Sequence, residues 1–140
     1  IRDRLSIVIP TFNEENNITL LVDDIIELMV NKDYEIFIVD DGSTDSTVKN
    51  IFENHSNNKN IKVIQRECDR GLLQSIKFAL QSITGEYFVV MDGDGQHSPN
   101  DINSLVENLQ EYDLSIGVRD LKNLTQVSFF YHQLTQKFLF

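Results

Sequence analysis

Short β-branched apolar runs alternate along most of this sequence with helix-spaced apolar stripes, and the runs stop at polar or acidic clusters. Residues 5–9 (LSIVI) and 35–40 (EIFIVD) are two such runs, closed by Pro10 and by Asp41-Gly42-Ser43. Between them Ile18, Leu21, Val22, Ile25, Ile26 and Met29 recur at helical spacing, one stripe able to cover a sheet. The unit is β-α-β, and it repeats. Residues 46–54 predict a helix, 61–65 a short strand, 72–83 a helix with Leu73, Ile76, Leu80 and Ile83 on one side, and 86–91 a strand. A helix over 101–112 follows, with Ile102, Leu105, Val106 and Leu109 inward and Ser98-Pro99-Asn100 supplying capping and first-turn chemistry; residues 113–118 (DLSIGV) predict a last strand. Strands apolar along their whole length need cover on both faces. The expected fold class is therefore α/β, a mostly parallel sheet with helices on both faces, in which ligands bind beyond the carboxyl ends of the strands.

Size and charge narrow the function. A chain of 140 residues is expected to form one domain, and its first residue, Ile1, suggests part of a longer protein. The single cysteine, Cys68, lies between Glu67 and Asp69, where thiolate is disfavoured; it excludes a disulfide framework or a cysteine-based zinc site. No apolar stretch of ~18 residues and no signal-peptide pattern occurs, and a cytoplasmic location is expected. Twelve Lys and Arg against 22 Asp and Glu leave a net charge of −10. That field repels nucleic-acid backbones, so no nucleic-acid partner is expected, and a polyphosphate ligand needs a cation.

Four polar clusters fall at the predicted strand ends: residues 10–14 (PTFNE), 40–43 (DDGS), 92–97 (DGDGQH) and 117–120 (GVRD). In a parallel sheet they share one edge, and so many carboxylates would repel each other unless a cation or hydrogen-bonding groups filled the space. Asp92 and Asp94, two apart on a chain leaving a strand, can project to one side, and Gly93 and Gly95 permit close backbone approach. With Gln96 as a third oxygen they suit Mg²⁺ or Mn²⁺ shared with ligand phosphates; a solvated Asp-Gly turn is the competing explanation. Asp41 suits accepting a hydrogen bond from a base N–H, or equally capping the helix that begins near residues 43–45. Arg70-Gly71 opens a helix where backbone N–H groups and a guanidinium meet an anion, unless Arg70 is an ordinary surface residue. His97 reads as an exposed loop histidine or a ligand.

Spacing removes some alternatives. An EF-hand loop from Asp92 needs Gly at its sixth position and Glu at its twelfth, where His97 and Asn103 stand. An Asp-x-Asp-Gly-Thr phosphatase is disfavoured by Gln96, and neither Gly-x-Gly-x-x-Gly nor a Walker motif occurs. A receiver-type phosphoacceptor module would use Asp40, Asp41 and Asp92 but leaves residues 10–14 and Gln96 unexplained.

Pro10-Thr11-Phe12-Asn13-Glu14, residues 39–45 (VDDGSTD), Arg70-Gly71, Thr84-Gly85 and residues 91–99 (MDGDGQHSP) together resemble the family 2 glycosyltransferases of the GT-A, Rossmann-like nucleotide-sugar-binding fold. The likeness covers residues 5 to about 120 and is nearest to the dolichyl- and polyprenyl-phosphate sugar synthases. It implies a metal-dependent, inverting transfer of a sugar from a GDP-mannose or UDP-glucose type of donor to a polyprenyl phosphate, with a saccharide hydroxyl as second acceptor class. It implies that Pro10, Phe12, Glu14, Val39 and Asp41 hold the nucleotide, with Arg70 also on the donor. Asp92, Gly93, Asp94 and Gln96 would hold metal and diphosphate, and Arg119 the acceptor phosphate; Asp94 and Arg119 count as catalytic. Phe12 stands where this group often has Tyr, keeping the stacking face. On the same basis residues 1–120 form a partial transferase domain, cut before its acceptor side. Residues 121–140 predict an aromatic amphipathic helix, packed on that missing portion or lying at a membrane surface.

Overall fold

In the computed structural model, which describes residues 4–117, two strands lie at the centre of a four-stranded sheet because both their faces are apolar. The elements run β1 (Leu5–Thr11), α1 (Ile18–Leu28), β2 (Tyr34–Asp40), α2 (Thr47–His55), β3 (Ile61–Gln65), α3 (Leu72–Leu80), β4 (Tyr87–Val90) and α4 (Asp101–Asn108). All pairings are parallel, in the order β3-β2-β1-β4. Alternate residues feed two cores. Ile7, Ile9, Ile36, Ile38 and Val89 meet α1, α2 and α4 through Ile18, Val22, Ile25, Ile51, Ile102 and Leu105. On the other face Val8, Phe37, Val39, Phe88 and Val90 meet α3 through Ala79, Ile76 and Leu80.

This order decides one alternative. A receiver-type sheet runs 2-1-3-4-5, with the third strand beside the first, whereas here β4 holds that place, as in nucleotide-binding doubly wound sheets. The phosphoacceptor alternative therefore falls. The chain reverses direction across the sheet at β1, so the crevice for a ligand opens over the carboxyl ends of β1 and its neighbours.

Element identities match the sequence expectation through α4, and the departures have physical causes. Helices α3 and α4 end at Leu80 and Asn108, earlier than residues 83 and 112, because their last turns tighten into three-residue bonds such as Gln81 N–H to Phe78 O and Leu109 N–H to Val106 O. No side-chain cap forms at α4; Asn100 is itself helical, and Asp101 and Ile102 N–H groups donate to the Ser98 and Pro99 carbonyls. Residues 113–117 form no strand, contrary to expectation. Helix α4 shares a face with α1, and a right-handed crossover from that face would deliver the next parallel strand to the side of β4 that β1 occupies. Accordingly Leu114 and Ile116 are exposed and Ser115 is buried. The rest of that predicted strand, Arg119 and the predicted helix over 121–140 lie outside the described residues.

At the edge where the strands begin, a carboxylate is buried completely. Glu35 accepts hydrogen bonds from Ser6 Oγ at 2.7 Å, Lys62 Nζ at 3.0 Å, and the N–H and hydroxyl of Thr84, while Gly85 N–H donates to Ser6 Oγ at 2.9 Å. The Thr84-Gly85 pair is thus structural, pinning the entry of β4 to β1 and β2.

Candidate functional site

Proline ends the apolar run of β1, and the chain then turns through Asn13, which adopts a left-handed φ of 56°. Two loops interlock there. Asn13 N–H donates to Ser43 Oγ and Thr44 N–H returns to Asn13 Oδ1, both at 2.8 Å; Glu14 N–H donates to Thr47 Oγ1 at 2.8 Å, and Ser46 N–H to Glu15 Oε2 at 2.9 Å. The loops after β1 and β2 are therefore one rigid ledge. Phe12 stands out from it, 53% exposed, a large aromatic face with no core to fill.

The four carboxylates expected to crowd this edge are sorted by their partners. Asp40 is fully buried and folds back on the Gly42 and Ser43 N–H groups at 3.1 and 3.0 Å, also accepting from the Ser43 hydroxyl. Asp40, and Asp45 beyond it, take the local turn bonds; Asp41 takes none of them, so of its two readings the helix cap falls. Burial raises the Asp45 pKa, but bonds from the Thr47 hydroxyl and N–H and the Glu15 N–H outweigh it, and the group stays below its ordinary value. Asp41 turns instead to α3. It accepts from Gly71 N–H at 2.6 Å, from Ser75 Oγ at 2.7 Å and from Arg66 Nη1 at 2.9 Å. The start of α3 already holds an anion, the protein's own Asp41, so an added anion at that helix end is not expected.

Asp92 and Asp94 remain. Asp92 is 47% exposed at its side chain, with His97 Nε2 at 3.7 Å from Oδ2, and Asp94 spends Oδ1 on the Gln96 N–H at 2.9 Å. His97 is not the exposed loop residue expected: its side chain is 8% exposed and Nδ1 accepts the Asp92 N–H at 3.2 Å, closing the loop on itself. Gly93 seats this loop against β1. A Cβ there would stand 2.8 Å from Thr11 Cγ2 and 3.5 Å from both Glu14 Cγ and the Pro10 carbonyl, so only glycine permits the approach. Gly93→Ala should push the carboxylate loop off the ledge, lowering stability by ~1–3 kcal/mol, the usual cost of overpacking, and weakening divalent-cation binding; thermal unfolding and Mn²⁺ titration check both.

The structure brings Pro10, Phe12, Glu14, Asp41, Arg70, Asp92, Gly93, Asp94 and Gln96 to one sheet edge. Val39 reaches it by its backbone alone, since its side chain is wholly buried in the α3-side core. Arg70 is exposed and lies across Gly42, whose φ of 82° and lack of a Cβ make room: a Cβ would be 2.5 Å from Arg70 Nη2. Sequence reasoning missed Arg66, which reads as a surface residue after a strand yet is buried; the acid pair ending the neighbouring strand was the available signal. An open groove of about 890 Å³ adjoins Gln96 and His97 beside α1, but its walls carry Asp24 and Glu27 and no Lys or Arg, a poor place for phosphates.

As a cation site the donors fit. Asp92, Asp94 and Gln96 offer oxygen alone, and among the described residues no group of three His, Cys, Asp or Glu cages a metal. Two carboxylates that leave most positions to water and ligand phosphates are how Mg²⁺ and Mn²⁺ are commonly held.

Comparison with known proteins agrees with this geometry. The family model described as Glycosyl transferase family 2 matches residues 6–139. A dolichol-phosphate mannosyltransferase of Pyrococcus furiosus is 37% identical over 85% of this chain and 34% of its own length. A dodecaprenyl-phosphate galacturonate synthase of Rhizobium johnstonii is 33% identical over 82% of this chain and 36% of its own. The chain thus spans about a third of these relatives. Among solved structures, a mannosyltransferase from Pyrobaculum calidifontis in complex with GDP-Man and Mn²⁺ superposes with a TM-score of 0.71, 24% identity, and coverage of 85% of this chain and 36% of that one. Glucosyl-3-phosphoglycerate synthase from Mycobacterium tuberculosis, in complex with Mn²⁺, UDP and phosphoglyceric acid, gives 0.65 and 24%, over 78% and 39%. At that identity the likeness is one of fold.

Proposed function

The chain belongs to glycosyl transferase family 2, and from that premise we propose that it is the donor-binding part of a metal-dependent, inverting hexosyltransferase acting on a polyprenyl or dolichyl phosphate. The observation that carries this reading is the sorting of the acids: Asp40 is satisfied by its own turn and Asp41 is held by Arg66, Gly71 and Ser75 with one acceptor position left, whereas Asp92 and Asp94 are partly exposed on the loop after β4. The named relatives that act on lipid phosphates, and the manganese in the two solved neighbours, support acceptor and cation class respectively.

In this reading the base stacks on Phe12 and donates an N–H to Asp41. The ledge made by residues 10–14 and 40–47 fixes both, and the Arg70 guanidinium meets the diphosphate. Asp92, Asp94 and Gln96 hold Mg²⁺ or Mn²⁺, which when bound neutralises charge developing on the leaving diphosphate. The acceptor oxygen attacks the anomeric carbon from the face opposite that leaving group; the new carbon–oxygen bond forms as the sugar–diphosphate bond breaks, and configuration inverts. A lipid phosphate is anionic near neutral pH and needs no general base, only a cation to place it, here assigned to Arg119. Such an acceptor puts the work at the cytoplasmic face of a membrane, although no helix among the described residues is long and apolar enough to cross one.

The test is transfer of labelled sugar by the full-length protein to polyprenyl phosphate and to saccharide acceptors. Arg119→Lys keeps charge but loses bidentate geometry, and should lower transfer to the lipid phosphate by at least ~10-fold, about 1.4 kcal/mol, with donor affinity unchanged. Transfer to a saccharide hydroxyl with none to polyprenyl phosphate would replace this acceptor by the other.

A further inference from the structure

Arg66 follows β3 directly, and at 8% side-chain exposure it is a buried cation in a protein of net charge −10. Its reach covers three elements. Backbone N–H donates to the Asp40 carbonyl at 2.8 Å; Nη1 donates to Asp41 Oδ1 and to Ser75 Oγ, each at 2.9 Å; Nη2 donates to the carbonyls of Cys68 and Asp69. Ser75, itself fully buried, passes its own proton donation to Asp41 at 2.7 Å, so guanidinium, hydroxyl and carboxylate close a triangle. Asp69 holds a left-handed φ of 54°, a conformation that costs a residue with a side chain, and the guanidinium grips its carbonyl.

The consequence falls on Asp41. An ionised carboxylate accepts about four hydrogen bonds, and Arg66, Ser75 and Gly71 supply three, two of them on Oδ1. What remains is one acceptor position on Oδ2, in a carboxylate that cannot rotate without breaking the triangle. Lysine could not substitute: a single ammonium cannot serve Asp41, Ser75 and two carbonyls together.

We propose that Arg66 is a positioning residue for nucleobase recognition, holding the Asp41 carboxylate so that one Oδ2 acceptor site faces the base. The inference rests on the reading of Asp41 as the base acceptor. Ser75 is the second member of the clamp, and neither residue touches the ligand.

Calorimetric titration of the full-length protein with UDP and GDP in the presence of Mn²⁺, and separately with Mn²⁺ and inorganic pyrophosphate, tests it. Arg66→Lys should weaken binding of the preferred nucleotide by at least ~10-fold, the range for hydrogen bonds to charged groups, while pyrophosphate affinity stays within about two-fold. Ser75→Ala, which keeps both charges, should weaken the nucleotide by roughly 3-fold and serves if the arginine variant fails to fold. Asp41→Asn combined with Arg66→Lys should lose little more than Asp41→Asn alone, because both act at one point. Equal weakening of nucleotide and pyrophosphate, or nucleotide affinity within two-fold of wild type in folded Arg66→Lys and Ser75→Ala, would overturn the proposal and leave a purely structural clamp. Full nucleotide affinity in Asp41→Asn would instead remove the base-acceptor reading, and this inference with it.

Discussion

Asp94→Ala in the full-length protein is expected to lower sugar transfer by at least ~100-fold, about 2.7 kcal/mol in the barrier, with Asp92→Ala similar. The reason lies in what each carboxylate already does. Asp40 is turned back on its own turn and Asp41 is held by Gly71, Ser75 and Arg66 with one acceptor position left, too little for a cation; Asp94, on the loop after β4, gives Oδ1 to the Gln96 N–H. A diphosphate leaving group gains charge as its bond to the sugar breaks, and in a strongly acidic protein a cation on these two side chains is what can offset it. The fold should survive, because both side chains are partly exposed and neither enters either core. Loss of folding in parallel with loss of transfer would mark Asp92 and Asp94 as structural turn residues; Mn²⁺ affinity, read by titration without nucleotide, should fall with transfer.

Glu35→Gln is expected to cost about 2–4 kcal/mol of stability near neutral pH, for the loss of several hydrogen bonds to a buried charge. Burial raises the Glu35 pKa, but the bonds from the Thr84 N–H, Ser6, Lys62 and the Thr84 hydroxyl outweigh it and hold the group below its ordinary 4.5. A folded-state pKa below the unfolded one stabilises above the unfolded value, and that contribution is lost as pH falls through the lower folded value. The gap between wild type and Glu35→Gln in denaturant unfolding should therefore be widest near pH 7 and narrow steadily below about pH 4.5. A gap independent of pH would mean that the carboxylate's charge contributes nothing. Because Glu35 sits at the edge where strands begin, nucleotide binding in the folded variant should be unaltered.

What the sequence made legible was whatever has a period or a spacing. The β-branched runs and the apolar stripes of α1 and α4 repeat at intervals a single residue string displays, so element order and the parallel sheet followed from them. The segment 113–117 misled because alternating Leu114 and Ile116 look like a strand, while strand formation depends on which side of β4 is open, a property of topology. Asp92 and Asp94 were visible because their two-residue spacing off a strand puts both on one loop at the carboxyl edge of the sheet. The clamp on Asp41 was not, because Arg66, Ser75 and Gly71 lie 25, 34 and 30 residues from it and meet only after β3 is laid beside β2. His97 was misjudged for a related reason: five residues separate it from Asp92, and only the turn at Gly95, with a φ of 73°, folds the ring back beneath the backbone it holds.

In the proposed function a nucleoside diphosphate reaches this edge through a divalent cation held by Asp92, Asp94 and Gln96. Calorimetric titration of the full-length protein with UDP and GDP, with Mn²⁺ present and then with EDTA, tests it most directly. One of the two nucleotides should bind with Mn²⁺ and lose at least ~10-fold in affinity in EDTA. Affinity unchanged by EDTA would contradict the claim, because the diphosphate would then be held by the protein's own cations, and Asp92 and Asp94 would have no metal to hold.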